Sequence, residues 1–373
     1  MKLIAIVFGT RPEVIKLVPV ITRLRAAQWC KVALLPTGQH GHLLGQAMNE
    51  CGLQPMPLPP PPMLQDPARL VRTLTQRARA MLDAVRPHLV LVHGDTATAL
   101  AGAQAAVDLG LPLGHVEAGL RTYDLQNPYP EEQNRQTIAR LAQLHFAPTA
   151  AAGRNLLNEG IASTSVFVTG NTIVDMLQSV RLTTAAPIRD GERLAVVTLH
   201  RRELVPYLDQ VVAGLNSAVD CHADLRVVIP LHHNPAIAEP LRAAFGHHPR
   251  IELIPALPYP KFLALLASAC LVVTDSGGVQ EEAAILGVPL VVARRLTERP
   301  EVLSNGRGVV TGFDAIAIEQ AVDWALRLGP ATGRDDGLGD GRAAERIELV
   351  LKDFLCGQSR RPISAGTCGL PGI

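Results

Sequence analysis

Short, almost uninterrupted apolar runs punctuate the chain in two series of six. LIAIVF (3–8), VALLPT (32–37), LVLVHG (89–94), LPLGHV (111–116), HFAP (145–148) and SVFVTG (165–170) are separated by helical patterns. After Asn171-Thr172 the pattern restarts with RLAVVTLH (193–200), LRVVIPL (225–231), IELIP (251–255), LVVTDS (271–276), PLVVA (289–293) and GVVTG (308–312). A run that is apolar throughout has no wet face, which suits parallel strands covered by helices on both sides. Two such series predict an α/β protein of two Rossmann-like, doubly wound domains, over 1–170 and 171–355. No sequence repeat links them, so they are two similar architectures and not a duplication. The length of 373 residues, 47% of them apolar, supports two cores.

Lys+Arg 35 against Asp+Glu 34 leaves a net charge of +1, so no whole-protein field draws the chain to nucleic acid or an anionic membrane. Any anion site must be local. MKLIAIVFGTRPE is interrupted by Gly9, Arg11, Pro12 and Glu13 and reads as a first strand, not a signal peptide. With no apolar stretch long enough to span a bilayer, the expected compartment is the cytoplasm. The six cysteines are scattered without a C-x-x-C pair, against zinc, redox or disulfide chemistry. PMPLPPPPM (55–63) reads as a surface connector, and the Gly-, Pro- and Ser-rich tail 356–373 as disordered.

Ligands of doubly wound sheets bind where the strands end, and these ends are polar. The first strand opens into Gly9-Thr10-Arg11-Pro12-Glu13 with Lys16 one turn on, where Arg11 and Lys16 either grip a diphosphate or are solvated charges. Later ends carry Asp95 and Glu117; partial desolvation there raises a carboxyl's pKa and suits it to proton transfer, although Asp95 can also cap a helix. In PYPEEQNR (128–135), dipole compensation accounts for one of Glu131 and Glu132, leaving a surplus acid. His200-Arg201-Arg202-Glu203 closes the first strand of the second series, either to neutralise a phosphate or donate a proton to it, which makes His200 a catalytic candidate, or as surface charge.

VVTDSGGVQEE (272–282) combines a glycine turn with two carboxylates. Ser276, Gly277 and Gly278 expose N–H groups at a helix start, which binds phosphate. Glu282, more than a turn further on, can accept from vicinal hydroxyls, so cradle and acid are compatible if the anion is a ribosyl diphosphate. A plain tight turn is the alternative.

GTRPEVIK (9–16), GQH (38–40), VHGDT (92–96), GHVEAGLRT (114–122), PEEQNR (130–135), VTGNTIVD (168–175), HRRE (200–203), TDSGGVQEE (274–282), RRLTERPE (294–301) and GDG (339–341) occur in the order seen in non-hydrolysing UDP-N-acetylglucosamine 2-epimerases, which the chain resembles to about residue 355. The resemblance implies the two-domain fold shared with one class of glycosyltransferases (GT-B-like), a substrate cleft between the domains, a homodimer, and a last helix near 341–355 that crosses back to the first domain. It implies interconversion of UDP-GlcNAc and UDP-ManNAc without nicotinamide or metal, by elimination of UDP to 2-acetamidoglucal and re-addition on the opposite face. Asp95, Glu117 and Glu131 match the family's catalytic carboxylates, with Asp95 and either Glu117 or Glu131 as the proton-transfer groups. Arg11, Lys16, His200, Ser276, Gly277 and Gly278 match the diphosphate site and Glu282 the ribose site. Arg299 is expected to order the phosphate or the helix that carries Glu282. Gln39, His40, Arg201 and His232 match a regulatory second UDP-GlcNAc site. Gly41 and His42 depart from the family pattern beside that site, as does Leu204 after HRRE. A hydrolysing relative or a glycosyltransferase of the same fold is the rival reading.

Overall fold

The computed structural model describes residues 1–54, 56–62, 64, 66–180, 191–231, 235–245, 248–331 and 337–357, with the backbone alone at Arg202 and Ala236. All twelve apolar runs contain strands. β1 (Lys2–Phe8), β2 (Cys30–Pro36), β3 (Leu89–His93), β4 (Leu113–Val116), β5 (Leu144–Ala147) and β6 (Val166–Val168) form a parallel sheet in the order β2-β1-β3-β4-β5-β6. β7 (Arg193–Thr198), β8 (Leu225–Pro230), β9 (Ile251–Ile254), β10 (Leu271–Thr274), β11 (Leu290–Val292) and β12 (Gly308–Val310) form a second, in the order β12-β11-β10-β7-β8-β9.

Continuous apolarity has its physical consequence here. Ile4, Ala5, Ile6 and Val7 of β1 and Val90, Leu91 and Val92 of β3 are fully buried, so neither face of these strands meets water. In each sheet the chain order reverses at one point, between β1 and β3 and between β7 and β10. Helices leave these neighbours toward opposite faces, and a crevice opens beyond their carboxyl ends.

The expected 341–355 helix runs from Ala343 to Cys356, started by Asp175, whose carboxylate accepts from the N–H groups of Ala343 (3.2 Å) and Ala344 (2.9 Å). It lies against the first helix, Arg11–Ala26, and Glu348 accepts from Arg23 Nε and Trp29 Nε1 at 2.9 Å each. Residues 358–373, most of the expected tail, fall outside the described residues. Among the described residues no helix is long and apolar enough to cross a membrane.

Candidate active site

The two crevices face one another across a single cleft of about 1580 Å³. Thr10, Arg11, Lys16, Asp95 and Glu131 line it from the first sheet, and His200, Ser276, Gly278, Tyr259 and Glu282 from the second. Glu117, Gly277 and Arg299 lie behind this lining, and their places follow from the buried charge beneath it.

On the second side, Ser276 is the N-cap of the helix Gly277–Ile285, but its hydroxyl makes no capping bond. The first N–H groups of a helix have no partner within it, so this turn presents donors and a positive dipole end. A β-carbon on Gly278 would meet nothing within 4 Å among the described residues, whereas one on Gly277 would lie 2.3 Å from Arg299 Nη1. The two glycines therefore differ in purpose: one leaves room before the cradle, the other lets a guanidinium pack behind it. Beside them Asp275, missed in the sequence, accepts from the backbone N–H of His200 (2.9 Å) and of Arg201 (2.8 Å) and lies 2.9 Å from His200 Nδ1. Burial would raise its pKa, but His200 and these donors outweigh burial and hold it below the usual carboxylate range.

The acids of the first side separate by role. Thr96, not Asp95, caps the helix Ala97–Asp108, accepting from Ala99 N at 3.0 Å. Asp95 is thereby released to ion-pair with Arg135, its backbone carbonyl accepting from Asn134 Nδ2 at 2.7 Å. Glu132 is fully buried and accepts from the N–H groups of Thr122 (3.0 Å) and Tyr123 (3.3 Å) and from Gln136 Nε2 (3.0 Å), which makes it the structural member of its pair. Glu131 is the surplus acid, its buried Oε2 without a hydrogen-bond partner among the described residues. Burial first, and the charge of Asp95 second, raise its pKa.

Lys16 ion-pairs with Glu117 and lies 2.7 Å from Glu281 Oε2, so one buried cation joins carboxylates from both sheets. Burial opposes the charge on Glu117, yet Lys16, His93 and Arg299 more than compensate and keep its pKa below the ordinary value. Glu117 sits at φ 64°, a region costly for a residue with a β-carbon, and a strained backbone kept at such a place is characteristic of functional sites. Arg299 is committed to Glu298 and, at 2.7 Å, to Glu281, which lies on the helix that carries Glu282.

Glu282 Oε1 accepts from Tyr259 Oη at 2.9 Å. Burial pushes its pKa up to about 7, the tyrosine opposing that rise. Arg11 reaches across the cleft to the carbonyl of Leu257 at 3.2 Å. Gln39, His40 and Arg201 line the same cleft, Gln39 anchored by Thr98 N at 3.0 Å, while His232 lies outside the described residues.

Two parallel sheets whose reversal points share one cleft, with a helix start on one wall and carboxylates on both, define the GT-B-like class of two-domain α/β proteins. Residues 22–352 match the sequence model of UDP-N-acetylglucosamine 2-epimerase, and the chain belongs to that family. It is 38% identical to a probable UDP-N-acetylglucosamine 2-epimerase of Ralstonia nicotianae, over 95% of this chain and all of the relative. The S. aureus MnaA–UDP co-structure matches with a TM-score of 0.89 and 34% identity, covering 97% of this chain and 99% of that one. The Neisseria meningitidis UDP-GlcNAc 2-epimerase bound to UDP-GlcNAc matches with a TM-score of 0.86 and 32% identity, covering 94% and 100%.

Proposed function

We propose that this protein interconverts UDP-GlcNAc and UDP-ManNAc at C2 of the sugar, by elimination and re-addition of UDP. The observation that carries the reading is the opposition, across one cleft, of the Ser276–Gly278 helix start to Asp95 and Glu131. The sugar C2 has no adjacent carbonyl, so removing its proton is feasible only as the C1–O bond breaks. The C–H electron pair forms the C1=C2 bond of 2-acetamidoglucal, and the C1–O pair leaves with UDP. UDP then returns to C1 while a second acid protonates C2 from the other face.

Asp95 and Glu131 face the cleft and are assigned the proton transfers; Glu117, bound to Lys16, holds that lysine in place. Arg11, Lys16, His200 and the N–H groups beyond Ser276 take the diphosphate, and Glu282 takes the ribose. Residues 1–170 supply Asp95, Glu131, Arg11 and Lys16, and 171–355 supply His200, the helix start at Ser276 and Glu282. Any second UDP-GlcNAc would use the Gln39, His40 and Arg201 side of the cleft. A cytoplasmic homodimer supplying surface polysaccharide synthesis is consistent with this reading.

The test is NMR of UDP-GlcNAc with purified protein in D2O. UDP-ManNAc should appear carrying deuterium at C2, with no added nicotinamide or metal. Product without solvent deuterium would sink the proton-transfer route, and accumulation of ManNAc with UDP would identify a hydrolase.

Glu282 gives a second test. If it reads the ribose diol, Glu282→Ala should weaken UDP binding by about 1.5–3 kcal/mol, the range for bonds to a charged group. Replacing UDP by its 2′-deoxy form should then cost the native protein affinity and the mutant almost none. Because the Glu282 pKa lies at about 7, the native preference for UDP should strengthen from pH 6 to pH 8 as the carboxyl ionises. Calorimetry showing an equal 2′-deoxy loss in both proteins would remove Glu282 from the ribose site.

A further inference from the structure

Behind Asp95 lies a chain of buried charges that joins the two sheets. Arg135, 3% exposed, ion-pairs with Asp95 and meets Glu132 Oε2 at 3.2 Å and Glu298 Oε1 at 3.3 Å. Glu298, 2% exposed, also accepts from Arg294 Nη1 at 2.8 Å and pairs with Arg299. Of these groups only Asp95 lines the cleft. Glu132 and Arg135 sit on one helix, Glu131–Leu141, whereas Glu298 belongs to the loop after β11, on the other side of the cleft. A planar guanidinium held at both of its outer nitrogens can turn only by breaking a charge-assisted bond, so the carboxylate it grips inherits its orientation. Glu132 fixes one edge of Arg135 from its own helix. The anchor on the edge that holds Asp95 comes from the second sheet.

We infer that Glu298 and Arg135 are positioning residues through which the second sheet orients the Asp95 carboxylate. The inference rests on the proton-transfer role given to Asp95 above. Its consequence is that the acid/base site is complete only while Glu298 reaches Arg135, so a separated pair of domains would hold Asp95 with one anchor fewer. Arg294 and Arg299 are sequence neighbours of Glu298 and would keep their bonds to it in either arrangement; Arg135 would not.

Glu298→Asp separates these roles, since it keeps the negative charge for Arg294 and Arg299 but shortens the reach toward Arg135. It should lower kcat for epimerisation on the order of tenfold to a hundredfold, the scale of a misplacement near 1 Å, with KM for UDP-GlcNAc within about threefold of native. Glu298→Gln should lower kcat by a similar factor. The decisive measurement is the double mutant. In an Asp95→Asn background Glu298→Asp should change kcat by less than about threefold, because a residue acting through Asp95 has nothing left to orient. Additive losses, or a rise in KM with kcat unchanged, would overturn the inference. Should Glu298→Gln fail to fold, Arg135→Lys replaces it: a point charge cannot keep the two-edged grip, and the same fall in kcat is expected. Native protein that epimerises while the Glu298 variants match it defeats only the positioning role; native protein that forms no UDP-ManNAc defeats the functional reading and this inference together.

Discussion

Glu131→Gln and Asp95→Asn are each expected to lower turnover of UDP-GlcNAc by on the order of a hundredfold or more, while UDP binds within about threefold of native, since a lost acid/base group costs about that much. The sequence offered three acids for two faces, and the two assigned to proton transfer are those that line the cleft. Asp95 and Glu131 reach the cleft from different elements, one after β3 and one at the start of a helix. Their environments differ as well: Asp95 is paired with Arg135, whereas Glu131 Oε2 has no hydrogen-bond partner among the described residues and its pKa is raised by burial and by Asp95. Two carboxyls in such unlike surroundings suit an exchange of protons between two faces. The check is kcat from the NMR assay together with calorimetry of UDP. If either mutant turns over at a near-native rate, that carboxyl is not a proton-transfer group; if UDP binding collapses in parallel, the mutation has disturbed the cleft and not the chemistry.

How far such a site can be read from sequence depends on the distance over which its parts interact. The strands were legible because burial on both faces is written locally, as in Val90, Leu91 and Val92, and the acids at their ends were legible because strand ends are where ligands bind. From residue type and spacing alone, without the family resemblance that points to Glu131, the choice between Glu131 and Glu132 was not legible. It depends on the N–H groups of Thr122 and Tyr123, which the chain brings back over a loop to satisfy Glu132 alone. Asp95 and Thr96 were ambiguous for a related reason, because either can cap a helix and only the observed bond to Ala99 decides. Asp275 stands inside a motif that the sequence singled out, but its bonds to the His200 loop span 75 residues and link two strands that are neighbours only in the folded sheet. Glu298 and Arg135 are 163 residues apart and carry no local signal of their pairing. Arg299 was expected near the phosphate or its helix, and its packing against Gly277 at the start of that helix carries no local signal.

Lys16→Met is expected to destabilise the protein by about 3–5 kcal/mol at pH 7, because removing one partner of a buried ion pair leaves charge uncompensated. The carboxylate stranded here is Glu117, since Glu281 keeps Arg299 at 2.7 Å. Glu117 and Glu281 both pair with Lys16, the latter at 2.7 Å, and Arg299, 3.7 Å from Glu117, is already bound to Glu281 and Glu298. The loss should also depend on pH in a definite direction. In the native protein the Glu117 pKa is held below its ordinary value of 4.5, so this group contributes stability above that value and loses it as pH falls through the folded pKa. Without Lys16 the sign reverses: burial dominates, the folded pKa rises above the unfolded one, and Glu117 opposes folding wherever the unfolded carboxyl is ionised. The gap between native and mutant should therefore be widest at pH 7 and narrow as pH is lowered toward 4.5, where protonation relieves the stranded charge. Denaturant unfolding at pH 7 and pH 5 measures both. A loss below about 1 kcal/mol at pH 7, or one equal at the two pH values, would mean that water reaches these carboxylates when the lysine is gone, and that the charges linking the two sheets are not held dry by the fold.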